Sequence, residues 1–67
     1  MTIYDALKIA VEFLEEQRLM PAQKFKLTAS RVEQEWVFWF VFLPETPGRD
    51  VTVFVGDNGR ARHLAGI

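Results

Sequence analysis

Apolar residues recur every three or four positions from Ile3 to Leu14, and from Phe25 onward the spacing changes to two. The first rhythm belongs to a helix with one buried side, the second to a strand with one wet face. The pattern predicts a helix from Thr2 to about Leu19. Thr2 followed by Asp5 has capping-box spacing, with the shorter Asp in place of Glu. Ile3, Leu7, Ala10, Val11 and Leu14 form the expected buried stripe, opposite Asp5, Lys8, Glu12, Glu15 and Glu16. Lys8 and Glu12 stand one turn apart and can pair weakly. Ile9 and Phe13 fall beyond the edge of this stripe, so the apolar arc is wider than a helix lying on a sheet requires. Pro21 is the expected stop, because its ring cannot continue a helix.

In the next segment Phe25, Leu27 and Ala29 alternate with Lys26, Thr28 and Ser30, which predicts a first strand with one covered face. Glu33-Gln34-Glu35 reads as a hairpin turn. The run from Trp36 to Leu43 is apolar at every position and predicts a central strand buried on both faces. Pro44 to Arg49 has the composition of a loop. Val51, Val53 and Val55 alternate with Thr52 and Phe54 in a third strand, and Gly56-Asp57-Asn58-Gly59 is a tight turn in which Asn-Gly supplies positive φ angles. Arg60 to Leu64 forms a short terminal strand or a frayed tail. Residues 1–67 therefore read as a single α+β domain, one N-terminal helix packed on a three- to four-stranded antiparallel β-meander.

One helix covers one face of a sheet. Successive strand residues point to opposite faces, so either Trp36, Phe38, Phe40 and Phe42 or Val37, Trp39, Val41 and Leu43 point away from the helix, and Phe54 can join them. Composition sharpens this. The chain has 67 residues, no cysteine, and 49% hydrophobic residues including six Phe and two Trp. A domain this small buries only about 60% of its unfolded surface and has no disulfide to brace it. Burying one large apolar side chain is worth roughly 1.5–3 kcal/mol. Leaving four in water forgoes several kcal/mol, so either strong twist and the loop at Pro44 to Arg49 fold over part of this face, or a protein partner or a homodimer covers it, and association is the expected outcome. The expected partner-binding residues are Trp36, Phe38, Trp39, Phe40, Phe42 and Phe54, with Ile9 and Phe13 adding to the same side.

The formal net charge is −1, eight Lys and Arg against nine Asp and Glu. Nucleic-acid binding draws on a basic surface, so nucleic acid is not an expected partner, although Arg31, Arg49, Arg60 and Arg62 could rim a sheet bearing aromatic rings. No apolar run reaches the roughly eighteen residues of a membrane span. The start, Met1-Thr2-Ile3-Tyr4-Asp5, has no positive n-region, and a cytoplasmic location is expected.

Candidate chemistry is sparse. His63 is the only histidine and Ser30 the only serine; a general base needs a nucleophile beside it and an orienting group behind it. The sole catalytic arrangement worth testing pairs His63 with Asp57 or Asp50. Asp5, Glu12, Glu15 and Glu16 read as a hydrated helix face, not a metal site, and the turn from Gly56 to Gly59 lacks the length and Lys-Ser/Thr ending of a phosphate loop. No enzyme activity, cofactor or metal is expected.

The opening Thr2-Ile3-Tyr4-Asp5-Ala6-Leu7 with Phe13-Leu14, the middle Glu35-Trp36-Val37-Phe38-Trp39-Phe40, and the ending Asp57-Asn58-Gly59 to His63-Leu64-Ala65-Gly66 resemble the bacterial immunity protein 35 family. That resemblance implies a small cytoplasmic protein that binds and neutralises a toxin. A helix followed by strands and a turn such as Asp57-Asn58-Gly59 is also similar to PepSY-type domains, some of which inhibit proteases.

Overall fold

The structure is a computed structural model that describes residues 1–19, 24–44 and 50–65. One helix, α1 (Ile3–Glu16), precedes four strands: β1 (Phe25–Val32), β2 (Glu35–Phe42), β3 (Asp50–Gly56) and β4 (Ala61–Ala65). The strands form one antiparallel sheet in the order β1-β2-β3-β4, so each lies beside its sequence neighbour. The fold is thus one N-terminal helix packed on a four-stranded antiparallel meander.

Thr2 caps α1 from an extended conformation; the Asp5 amide donates to its Oγ1 at 3.2 Å, and the Ala6 amide to its carbonyl at 3.1 Å. The first bond satisfies an amide that has no partner within the helix, and the second is the first regular bond of the helix. The helix ends earlier than the sequence pattern predicts. Gln17 is the C-cap and Arg18 turns left-handed at φ 57°. The Arg18 amide then donates to the Glu15 carbonyl and the Leu19 amide to the Leu14 carbonyl, a Schellman closure. Leu19 folds back against the core. The helix therefore stops by its own capping geometry, and Pro21 lies outside the described residues.

The buried line of α1 is Ala6, Ala10 and Leu14, rotated by roughly 40° from the predicted stripe at about 100° per residue. Ile3 is exposed, while Leu7 and Val11 are half-buried. Two alanines one turn apart let the helix approach a floor of phenylalanines. Phe38, Phe40 and Phe42 of β2 and Val51, Val53 and Val55 of β3 complete the core, with no polar side chain among the buried residues described. The rotation brings Ile9 and Phe13 down onto the sheet; the Phe13 ring lies 5.4 Å from that of His63 on β4. Both residues are half-buried against the core on the helix side of the sheet, whereas the expectation had them widening a docking surface.

The helix contacts β2, β3 and β4, and all eight residues of β1 are exposed. The expected covered face of the first strand is thus uncovered: Phe25, Leu27 and Ala29 sit in register with Phe42, Phe40 and Phe38 but beyond the reach of the helix.

Two turns also depart from expectation. Glu35 belongs to β2, leaving Glu33-Gln34 as a two-residue connection with Glu33 at φ 55°. At the other end, the Gly59 amide donates to the Gly56 carbonyl and the Gly56 amide to the Arg60 carbonyl. Only Gly59 is left-handed, at φ 82°. This is a three-residue hairpin loop that ends in one left-handed glycine, and Asn58 contributes its side chain, accepting from the Arg60 amide at 3.0 Å. The loop predicted at Pro44 to Arg49 lies outside the described residues from residue 45 onward.

Candidate functional site

The registers decide which face of each strand is which. Trp36, Phe38, Phe40 and Phe42 share a face with Val51, Val53 and Val55, and those are the residues under the helix. Phe38 and Phe40 are fully buried and Phe42 nearly so. These three were expected to contact a partner; their surface is instead consumed by Ala6, Ala10 and Leu14. Trp36 also lies on the helix side, at the end of the core. It is half-buried, stacks near Phe38 at a centroid distance of 6.4 Å, and keeps a buried Nε1 without an acceptor among the described residues.

Trp39 and Phe54 are the two expected residues that the structure places on the opposite face. None of the described elements covers this face. Trp39 retains 46% of its accessible surface, and its cross-strand neighbours are Thr28 on β1 and Thr52 on β3. Half-buried Val37 and Val41 flank it along β2, and half-buried Phe54 pairs with Val37. Leu64, 61% exposed, extends the row beyond Thr52, and Val32, 54% exposed, lies at the far end of β1 on the same side. Sequence reasoning did not name Leu64 or Val32 for this surface. Their parity with Trp39 across the meander is the signal that finds them, and it can be read only once the register is known.

Polar contacts fix the aromatic rings on this face. Trp39 Nε1 donates to Asp50 Oδ2 at 3.0 Å. Arg62 lies over the Phe54 ring, 4.0 Å from its centroid, and donates to Glu35 Oε1 at 3.2 Å. A cation held over a ring by a carboxylate partner holds the ring in a set orientation. The surface is an apolar band whose two large rings are pre-positioned, so docking on it would cost little ordering entropy.

A second polar feature closes the helix side of the sheet. Arg31 of β1 makes a fork to Asp57, with Nη1 at 3.0 Å from Oδ1 and Nη2 at 2.8 Å from Oδ2, and its guanidinium lies 5.3 Å from the Trp36 centroid. Hydrogen bonding from Arg31 holds the Asp57 carboxyl below its ordinary range, and the same pair raises the Arg31 pKa. A concavity of about 500 Å³ opens at this end of the sheet, lined in part by Gln34, Glu35, Asp57, Asn58, Arg60 and Arg62. Its carboxylates are already engaged by Arg31 and Arg62, so they offer little to a cation.

The proposed pairing of His63 with Asp57 or Asp50 is not made. His63 opposes Val53 and therefore faces the helix side, whereas Asp50 shares the Trp39 face. Asp57 is held by Arg31. Among the described residues no group of three or more His, Asp or Glu is placed to hold a metal ion, and no helix is long and apolar enough to cross a membrane. No family model, no curated protein and no solved structure matches this chain.

Proposed function

We propose that the chain is a non-catalytic protein-binding domain that docks its partner on the open face of the sheet, around Trp39. The observation that carries this reading is the uncovered band of Val37, Trp39, Val41, Phe54 and Leu64 on a domain whose other sheet face is packed under a helix. Exposed apolar patches of this kind mark interaction sites, and a half-exposed Trp held by a carboxylate at the middle of the patch is the residue type that dominates such interfaces. Inhibition of a toxin, the role implied by the resemblance to the immunity protein 35 family, is the narrower form of this reading and rests on that resemblance alone.

The test is photo-crosslinking in cells from a probe at position 52, followed by affinity measurement on the partner so identified. Trp39→Ala is expected to weaken the complex about tenfold or more, the range of an interface hot spot, while Glu12→Gln on the far side of the helix leaves it unchanged. An affinity that Trp39→Ala and Leu64→Ala both leave intact overturns the assignment of the surface.

A further inference from the structure

The sheet has two edges of different character. β4 is five residues long, whereas β1 runs for eight, all exposed, with no proline and with none of the described elements covering it. An edge strand presents a row of main-chain donors and acceptors to any strand of matching pattern. On its helix side β1 carries Phe25 (36% exposed) and Leu27 (39% exposed) directly beside the core residues Phe42 and Phe40. Their rings are in contact, Phe25 lying 5.4 Å from Phe40 and 6.4 Å from Phe42 by centroid. The core therefore continues sideways onto β1 and ends there in water.

The pattern of β1 is complementary to itself. In an antiparallel ladder, opposed residues have the same hydrogen-bonding sense, so a strand pairing with its own copy must be centred on a residue, and each face meets its like. Centring on Thr28 uses the whole strand. Phe25 then opposes Arg31, Leu27 opposes Ala29, Lys26 opposes Ser30 and Thr28 opposes Thr28. On the apolar side Leu27 meets the small Ala29 and Phe25 meets the aliphatic stem of Arg31, and no two like charges face each other, the arrangement that destabilises strand pairs. Lys24 of each copy falls opposite Val32, next to Glu33 of the other, which adds an opposite charge at both ends. Centring on Ala29 would instead set Phe25 against Glu33 in the turn beyond the strand, and centring on Leu27 would carry Arg31 and Val32 past the end of the partner strand.

We propose that β1 is a self-association edge, through which two copies of this chain join antiparallel about a two-fold axis at Thr28 into one eight-stranded sheet. The pairing places the apolar strips of both β1 strands side by side between the two helices and leaves the Trp39 face open on both copies. Trp39, Thr28 and their mates fall in one row, which sets the two Trp39 residues roughly 14 Å apart at about 4.8 Å per strand. The contact is a single strand pair, smaller than the roughly 1,200 Å² of a standard interface, so the dimer is a reversible one that forms at micromolar concentrations. This inference does not depend on the partner-binding role of the open face.

Sedimentation velocity from about 1 to about 500 µM tests it. The wild-type chain is expected to pass from monomer to dimer over this range. Thr28→Lys and Thr28→Glu each set like charges against each other on the axis, and each is expected to remain monomeric. An equimolar mixture of the two is expected to dimerise again, which also shows that both variants are folded. Leu64→Lys, on the open face away from β1, is expected to dimerise like the wild type. A wild type that stays monomeric at the highest concentration overturns the proposal. So does a Thr28→Lys variant that dimerises normally, or a Leu64→Lys variant that fails to, since the latter assigns self-association to the open face. Amide exchange gives a second measure: outward-facing β1 amides gain protection at least tenfold between dilute and concentrated samples, and equal protection at both concentrations counts against the edge.

Discussion

β2 presents two apolar faces that differ in what became of them. Trp36, Phe38, Phe40 and Phe42 and their neighbours Val51, Val53 and Val55 lie under a helix that meets them with Ala6, Ala10 and Leu14. Val37, Trp39 and Val41 share their side with Asp50, Thr52, Phe54 and Arg62. The covered side is purely apolar at its centre and closely packed. On the open side each large ring is tied to a charged group, Trp39 to Asp50 and Phe54 to Arg62. Apolar content alone therefore does not distinguish a core face from an open face. The distinction lies in whether neighbouring strands supply valines or polar partners at the same level of the sheet.

The comparison breaks most visibly at Phe38. Phe38→Ala removes a fully buried ring and is expected to cost about 3–5 kcal/mol, most of the stability available to a domain of this size; urea denaturation measures it. Trp39→Ala, one residue away, is expected to change stability by less than about 1 kcal/mol while weakening partner binding. Equal destabilisation by the two would erase the difference between the faces. Ala10→Leu probes the covered side from the helix: with no room above the phenylalanines, overpacking is expected to destabilise by about 1–3 kcal/mol, measured in the same way.

Arg18 holds a left-handed conformation at the helix C-terminus, where a side chain costs roughly 1 kcal/mol relative to glycine. Arg18→Gly is expected to raise stability by about that amount, seen as a higher urea midpoint with an unchanged slope. The smallest effect concerns pH. The Asp57 carboxyl is depressed by its hydrogen bonds from Arg31, so its contribution is present above the ordinary carboxylate pKa and is lost as pH falls through the lowered value. Below about pH 4 the wild type is expected to lose stability more steeply than Asp57→Asn, in thermal melts taken at falling pH. Because the pair is exposed to solvent the difference is modest, and parallel acid limbs would remove the pair from any role in holding Trp36.

The elements of the fold were legible in the sequence because each carries its own period. Thr2 with Asp5, the alternation from Phe25 and the valines of β3 each report on local structure. What could not be read was the choice of face in β2. Both parities there are apolar, so the pattern is silent, and the answer depends on registry with strands distant in sequence. β3 held a clue, since Val51, Val53 and Val55 contrast with Asp50 and Thr52, but transferring that parity to β2 requires the turn between them. The helix rotation was missed for a related reason. Alanine is a weak hydrophobic signal, so the pattern favoured Ile3 and Val11, whereas packing against three phenylalanines favours the smallest residues. The extent of helix cover was not legible at all, because nothing local to Phe25 or Leu27 records that the helix stops one strand short.

The helix precedes the sheet in the chain yet rests on β2, β3 and β4. Hairpins between adjacent strands close short loops and form readily, but the surface for α1 is complete only when Val51, Val53 and Val55 join the phenylalanines of β2. The helix therefore gains its full floor only after three strands that follow it have paired. Its docking ties the first element of the domain to strands β3 and β4, so the domain is expected to assemble and come apart as one cooperative unit, without a stable half-built form.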